Sequence, residues 1–293
     1  MIKRIAKQIL GTFFRSYRIP SRSGLIPVWD EVSGQRFMMT WRSDSMIETQ
    51  FFRHGLYGAW ERQSLRIWAH LCADAQEILD VGANTGVYSL LARKNNPSSK
   101  IVALEPIPAN ADVLQANIDA NAANVIVERV AMSDRDGDAV MYMLKDQLNY
   151  MTSVNDNRYA RHPEIAGRAT VVPIGVPVAT WTTLKAKRQL TGPDLIKIDV
   201  EGHEVAVMRS LYAHVAEYRP TILLEIIGDE NAASVNEMLR PLDYVFISID
   251  EVGRTATVVE SLWDNDHQNF LLCRREVADA LRTKGLVRAP AAG

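Results

Sequence analysis

Residues Leu195 to Glu204 read LIKIDVEGHE, an apolar run that ends in Asp199 with Glu201, His203 and Glu204 close behind. Charged groups at the end of a buried strand need a partner. It can be a ligand, a divalent ion, a proton in transfer, or the start of the next helix. Another acid, Glu225, ends the apolar run in PTILLEI. If these runs are neighbouring strands, the Asp199 and Glu225 carboxylates converge. Two acids facing one pocket suit Mg²⁺ or another hard divalent ion, with Asp199 and Glu225 as the metal ligands. They suit equally a catalytic base that keeps a proton through like-charge coupling. His203 titrates near neutrality and is a further candidate base. Glu201 lies at the bend and reads as facing the cavity. Glu204 reads as a first-turn complement to the helix dipole. Lys197 alternates with Ile196 and Ile198 and reads as support for a buried acid. The remaining histidines, His54, His70, His162, His214 and His267, share no metal-binding spacing.

A second constellation lies upstream. ILDVGANTGVYSLLA places Gly82 and Gly86 between a short apolar run and a helical pattern. Glycines there allow a tight turn and close approach of a ligand to the backbone. The spacing is not the GxGxxG fingerprint, and the Lys-Ser/Thr of a P-loop is missing. Glu105 ends the next apolar run, where an acid can accept hydrogen bonds from a ribose diol. Asp80, Glu105, Asp199 and Glu225 are thus all expected at one edge of a sheet.

The elements that would position these residues follow from the pattern. Residues 24–40 read as two short strands around a Ser-Gly turn, and 44–72 as a helical stretch interrupted at Gly55 and Gly58. From residue 77 onward, strands at 77–81, 100–105, 124–131, 194–200, 221–227 and 244–250 alternate with helical segments. This alternation signals βαβ units and a parallel sheet. ATVVE (256–260) and NFLLCRR (269–275) close the sheet, the latter as an antiparallel partner. AVMYML (139–144) reads as a strand, 145–168 as a polar loop, and 170–181, with Pro173 and Pro177, as an edge or extended segment. The division is an N-terminal amphipathic helix, hairpin and helical cap over 1–72, one α/β domain over 73–276 with an irregular acceptor region at 145–189, and a frayed tail over 277–293.

Lysine and arginine number 33 against 35 acids, a formal charge of −2, which argues against a nucleic-acid binder working by bulk charge. Cys72 and Cys273 form neither a metal spacing nor a disulfide framework, in keeping with a cytoplasmic protein. No apolar run approaches the ~20 residues of a membrane span. The segment MIKRIAKQILGTFFRSYR is basic, with Ile2, Ile5, Ile9, Phe13 and Tyr17 at helical spacing. Residues 1–18 therefore read as an amphipathic helix that packs on its own domain, on a mate in a homodimer, or peripherally on an anionic membrane.

Taken together, DVGANTG, ALEPIP, DLIKIDVEGHE and PTILLEI resemble the FkbM family of S-adenosylmethionine-dependent methyltransferases over about residues 44 to 272. ALEPIPANADVLQANIDAN is similar to a family stretch in which an acid and proline precede a helix with spaced asparagines. The resemblance implies a class I Rossmann-like methyltransferase fold, with a mostly parallel seven-stranded sheet, flanking helices and an N-terminal cap. It implies O-methylation of a hydroxyl on a sugar, glycan, lipid headgroup or secondary metabolite. Carried over by position, Asp80, Gly82, Asn84 and Gly86 surround the methionine portion of S-adenosylmethionine. Glu105 holds the ribose, Ala131, Met132 and Ser133 lie near the adenine, and Asp134 hydrogen-bonds its amino group. The family's Leu-Asp-Asp-Leu stretch before the fourth strand is replaced here by ATWTTLKAKRQ, so acceptor specificity does not transfer. Two rival readings are a partner- or membrane-docked binding module that keeps an inherited cofactor fold, and an NAD-dependent oxidoreductase. The intact acids speak against the first. The altered glycine pattern and the lack of a Tyr-Lys or Cys/His set speak against the second.

Overall fold

Alternating small and apolar residues make the first element a hairpin of β1 (Gly24–Asp30) and β2 (Gln35–Trp41). Ile26 and Val28 face inward with Phe37, Met39 and Trp41, while Leu25 and Trp29 face out. The Asp30 carboxylate closes the turn by accepting the Val32 N–H at 3.0 Å, and the Tyr57 hydroxyl donates to it from the cap. Two helices follow, α1 (Met46–His54) and α2 (Arg62–Cys72). They are separated near Gly55 and Gly58, as the sequence pattern predicts. The computed structural model describes residues 24–42, 45–58, 60–144, 171–264 and 269–288. The readings made for 1–18, for the loop at 145–168 and for the last five residues fall outside the described residues.

The strands of the α/β portion are β3 (Glu77–Val81), β4 (Lys100–Leu104), β5 (Val125–Glu128), β9 (Leu195–Ile198), β10 (Thr221–Glu225), β11 (Val245–Asp250), β12 (Thr255–Val259) and β13 (Asn269–Cys273). They form one sheet in the order β12-β11-β13-β10-β9-β3-β4-β5. The run β5-β4-β3-β9-β10 is parallel throughout, and β13 is the antiparallel partner expected. The sheet has eight strands where the family resemblance implies seven; the run ATVVE, read from the pattern as closing the sheet, is β12 at its antiparallel edge. EILDV and LIKI are buried on both faces, the condition under which parallel strands read as continuous apolar runs.

Helices cover both faces: α3 (Val87–Asn95), α4 (Pro108–Ala120), α5 (Trp181–Arg188), α6 (Glu204–Tyr218), α7 (Asp229–Leu239) and α8 (Arg275–Thr283). Strand alternation divides the core in two. Ile78, Ile101 and Leu223 pack with Leu65, Trp68 and Leu91, together with the inner face of the hairpin. Leu79, Val102, Ile196 and Leu224 pack with Val207, Leu211 and Val235. No helix among the described residues is long and apolar enough to cross a membrane.

Two local readings change. The run 124–131 is not one strand: β5 ends at Glu128, and β6 (Ala131–Met132) leaves for a second sheet of order β6-β8-β7. There it pairs with the end of β8 (Val171–Ala179), which also pairs with β7 (Gly137–Leu144). β6 meets only Val178 and Ala179, so Pro173 and Pro177 lie where β8 has a partner on one side alone. Residues 277–283, assigned to the tail by pattern, lie within α8, which buries Ala278 and Leu281. Leu286 and Val287 beyond it are also buried.

The spaced asparagines of α4 hold the hairpin. Asn117 accepts the Thr40 N–H at 2.7 Å and donates to the Thr85 carbonyl at 2.8 Å. Asn121 accepts the Met38 N–H at 2.8 Å and donates to the Met38 carbonyl at 2.7 Å. Both side chains thus satisfy the open backbone edge of β2. Asn117 is fully buried, and Asn117→Ala leaves buried backbone groups unpaired. We expect a loss of about 1–3 kcal/mol in urea denaturation, with a smaller loss for the more accessible Asn121→Ala.

Candidate active site

The turn after β3 is shaped by what lies against it. Gly82 adopts φ 82°, and a Cβ there would fall 1.8 Å from the Asp199 carbonyl oxygen. Only glycine lets the ends of β3 and β9 lie this close. The N–H groups of Gly82 and Ala83 both donate to the Leu104 carbonyl, at 3.0 and 2.9 Å. Asn84, at φ 50°, donates its N–H to Glu105 Oε2 at 2.9 Å, and the Ile107 N–H donates to Oε1 at 2.9 Å. Glu105 is therefore locked against the loop with an accepting edge on the cavity. Burial pushes its carboxyl up to about 7, against the two backbone bonds that lower it. Gly86 caps α3 at φ 93°, and a Cβ there would meet Leu114 at 2.4 Å, so its role is packing. Thr85 donates to the buried Glu48 of α1 at 2.7 Å, tying the loop to the cap.

Acids gather beside this loop. Asp80 and Lys197 are in register on neighbouring strands. Asp80 is fully buried, accepts Ser89 Oγ at 2.6 Å, and is held above the usual aspartate range by burial. Lys197 is 5% exposed. Its Nζ lies 2.9 Å from Asp199 Oδ2 and 4.6 Å from the centre of the Tyr88 ring. Burial pulls the Lys197 ammonium down, but Asp199, Asp80 and Glu61 outweigh it and hold the group charged. Asp199, Glu201 and Glu225 bring one carboxylate oxygen each within 4.8 Å of the others. Glu225 Oε2 is shut off from solvent with no hydrogen-bond partner among the described residues. Burial first, then Asp199 and Glu201, hold this carboxyl well above the usual glutamate range. The convergence of Asp199 and Glu225 expected from the strand ends is thus present, and Glu201 joins them.

The other wall comes from β6, the residues after it, and the start of α6. The Ser133 hydroxyl and His203 Nε2 lie 3.0 Å apart, and burial lowers the His203 pKa. His203 therefore sits with Ala131, Met132, Ser133 and Asp134, across the cavity from Lys197. Glu204 is fully buried and does more than face a dipole. It accepts the Gly202 N–H at 2.6 Å and Asn231 Nδ2 at 2.9 Å, fastening α6 to α7. Burial pushes it up to about 7.

All these surfaces bound one cavity of about 350 Å³ at the carboxyl ends of β3, β4, β9 and β10. Gly82, Asn84, Glu105, Ala131, Met132, Ser133, Asp134, Asp199, Glu201, His203 and Glu225 line it. Asp80 and Gly86 stand behind the wall. Met46, Ile47, Trp60 and Glu61 also line it, from the N-terminal cap. Glu61 is the site residue that strand-end logic misses. Its sequence signal is the resemblance of Tyr57, Trp60 and Glu61 in HGLYGAWE to a Gly–aromatic–Glu segment of the family, which implies a cap over the cofactor end.

A doubly wound sheet with a glycine turn after its first parallel strand, an acid ending the next, and a cavity over the carboxyl edge defines a Rossmann-like nucleotide-binding fold. Residues 80–246 match the methyltransferase FkbM domain, and the chain belongs to that family. Methyltransferase 1 of Beauveria bassiana is 28% identical over 152 residues, 47% of this chain and 59% of its own length. The hexuronic acid methyltransferase AglP of Haloferax volcanii is 25% identical over 250 residues, 85% of this chain and 90% of its own. The crystal structure of methyltransferase FkbM from Methylobacillus flagellatus aligns with a TM-score of 0.41 at 15% identity, over 68% of this chain and 44% of that one. The chain thus spans under two thirds of the first relative's length.

Gly82→Ala tests the close approach of β3 and β9. Its methyl group would displace Asp199, and it would sit in a left-handed conformation unfavourable for alanine. We expect a loss of about 2 kcal/mol or more in thermal or chemical unfolding, where an alanine at an unstrained glycine is neutral or stabilising.

Proposed function

We propose that this chain is an S-adenosylmethionine-dependent O-methyltransferase acting on a hydroxyl of a sugar or sugar-bearing molecule. The observation that carries the reading is the single cavity that joins Glu105 and the glycine turn to the Asp199–Glu201–Glu225 cluster. The hexuronic acid named for the Haloferax volcanii relative supports a sugar as the acceptor class. Glycan, lipid-headgroup and secondary-metabolite hydroxyls belong to the same chemistry.

The donor fits the residues present. A ribose diol would meet the Glu105 carboxylate, the adenine would lie along Ala131, Met132 and Ser133 with Asp134 at its amino group, and the sulfonium would lie near the Gly82–Asn84 turn. When bound, S-adenosylmethionine supplies an electrophilic methyl group for in-line displacement. The chain has to align the acceptor oxygen and take up its proton. Asp199 is fixed by Lys197 and faces Glu225 and Glu201, so this cluster is the proton acceptor nearest the turn. The same oxygens form a donor set that a hard divalent ion such as Mg²⁺ would accept, with Asp199, Glu201 and Glu225 as its ligands. Such an ion would make an attached hydroxyl more acidic. His203, paired with Ser133, supports the donor wall better than it supports acceptor activation.

Calorimetric titration with S-adenosylmethionine and with NAD tests the reading, followed by mass spectrometry of hydroxylated sugars for a gain of one methyl group. Binding of the methyl donor and not NAD is expected; the reverse overturns the proposal. Asp199→Asn and Glu225→Gln should each lower turnover by about 100-fold or more while donor affinity changes much less. Full turnover after exhaustive chelation would remove the divalent ion and leave the carboxylate base.

A further inference from the structure

Glu61 has no part in the chemistry above, yet it reaches the cavity from the cap. The chain enters α2 through Glu61 in a left-handed conformation, φ 40° and ψ 35°. Its Oε2 accepts the Tyr88 hydroxyl at 2.7 Å. The same Tyr88 ring presents its face to the Lys197 ammonium. Glu61 therefore lies on the Lys197–Asp199 side of the cavity, and burial followed by repulsion from Asp199 raises its carboxyl to about 8.

Carboxyl groups crowd this side, and burial holds several of them above the usual carboxylate range. Glu61, Glu105, Asp199, Glu201 and Glu225 line the cavity, and Asp80 lies directly behind it. Lys197 is the ammonium among them and is already matched to Asp199. Arg135 and His203 line the cavity too, with His203 beside Ser133. One further acceptor, Asn84 Oδ1, is closed off from solvent with no hydrogen-bond partner among the described residues. Buried acceptors left unpaired are costly, and such groups mark a place where donors are brought by a ligand. Among the described residues of this side, carboxyl groups outnumber the one ammonium.

Geometry narrows the ligand. Adjacent strands lie about 4.8 Å apart, so Glu105 on β4 and Asp199 on β9 are roughly 10 Å apart along the sheet edge. A nucleoside whose ribose sits on Glu105 would extend its 5′ substituent across the Gly82–Asn84 turn toward Glu61. We propose that Glu61, aimed by Tyr88, binds the α-ammonium group of the methyl donor's amino-acid arm. This rests on the methyl-donor reading above and assigns the arm a partner contributed by the N-terminal cap, outside the sheet.

Two nucleosides separate this role from a structural one. S-adenosylhomocysteine carries the amino-acid arm, and methylthioadenosine lacks it. Calorimetry on the full chain should show Glu61→Gln weakening S-adenosylhomocysteine by roughly 10- to 100-fold, the value of a hydrogen bond to a charged group. Methylthioadenosine affinity should change by less than about twofold, within the scatter expected of a site the substitution does not touch. Tyr88→Phe keeps the carboxylate and removes only the hydroxyl that aims it. It should give the same ligand-selective pattern with a smaller loss. If either variant weakens both nucleosides equally, or neither, the Glu61 assignment fails while the methyl-donor reading stands. If the wild-type chain binds neither nucleoside, the methyl-donor reading itself fails.

Discussion

The ammonium group of Lys197 lies between Ile196 and Ile198 on a central strand, almost wholly out of solvent. An unpaired charge there would cost several kcal/mol, so every arrangement of this fold has to bring acids to it. Three elements do so. Asp199 comes from the same strand two residues on, Asp80 from the register-matched position of β3, and Glu61 from the turn before α2. The result is more carboxylate than one lysine neutralises. Part of the excess is held as protonated acid: burial and mutual repulsion push Glu61, Glu105 and Glu225 upward. The remainder leaves a rim that favours cationic ligands, and the cavity opens directly onto it.

The same constraint explains why the N-terminal cap is part of the site. The hairpin packs its inner face into the core shared with Ile78 and Leu91, and polar groups aimed at the glycine turn fasten it further. Asn117 bridges β2 and the Thr85 carbonyl, while Glu48 receives the Thr85 hydroxyl. The turn that approaches Asp199 within contact distance is therefore clamped from outside by the cap, and the cap in return presents Trp60 and Glu61 to the cavity. Glu204 plays the matching part on the far side, joining the bend after β9 to α7 through Gly202 and Asn231. The carboxyl edge of the sheet is thus braced at both ends by buried side chains whose hydrogen bonds are made within the protein.

Much of this was legible in the residue order. Continuous apolar runs such as EILDV and LIKI can only be strands buried on both faces, and their alternation with helical segments leads to a parallel sheet. Acids at the ends of such runs must collect on one edge, so the pattern alone places Glu105, Asp199 and Glu225 there. The break at Val130 was not legible, because a run of valine and isoleucine carries no mark of which of two sheets each residue joins. The amphipathic α8 was hidden for a similar reason: nine residues of mixed charge look like a tail until a surface exists for Ala278 and Leu281 to cover.

Local pattern thus determined the strands, the turn glycines and the acidic edge, since these depend on periodicity and on backbone geometry within a few residues. Tertiary structure alone decided which groups meet across it. Tyr88 and Glu61 are 27 positions apart in the chain, and His203 and Ser133 are 70 apart. Nothing in the spacing couples them. Packing sent His203 to the wall beside Ser133 and brought Glu61 in beside Lys197. Burial, which exists only once the helices close over the sheet, then set which of the gathered acids keep their protons.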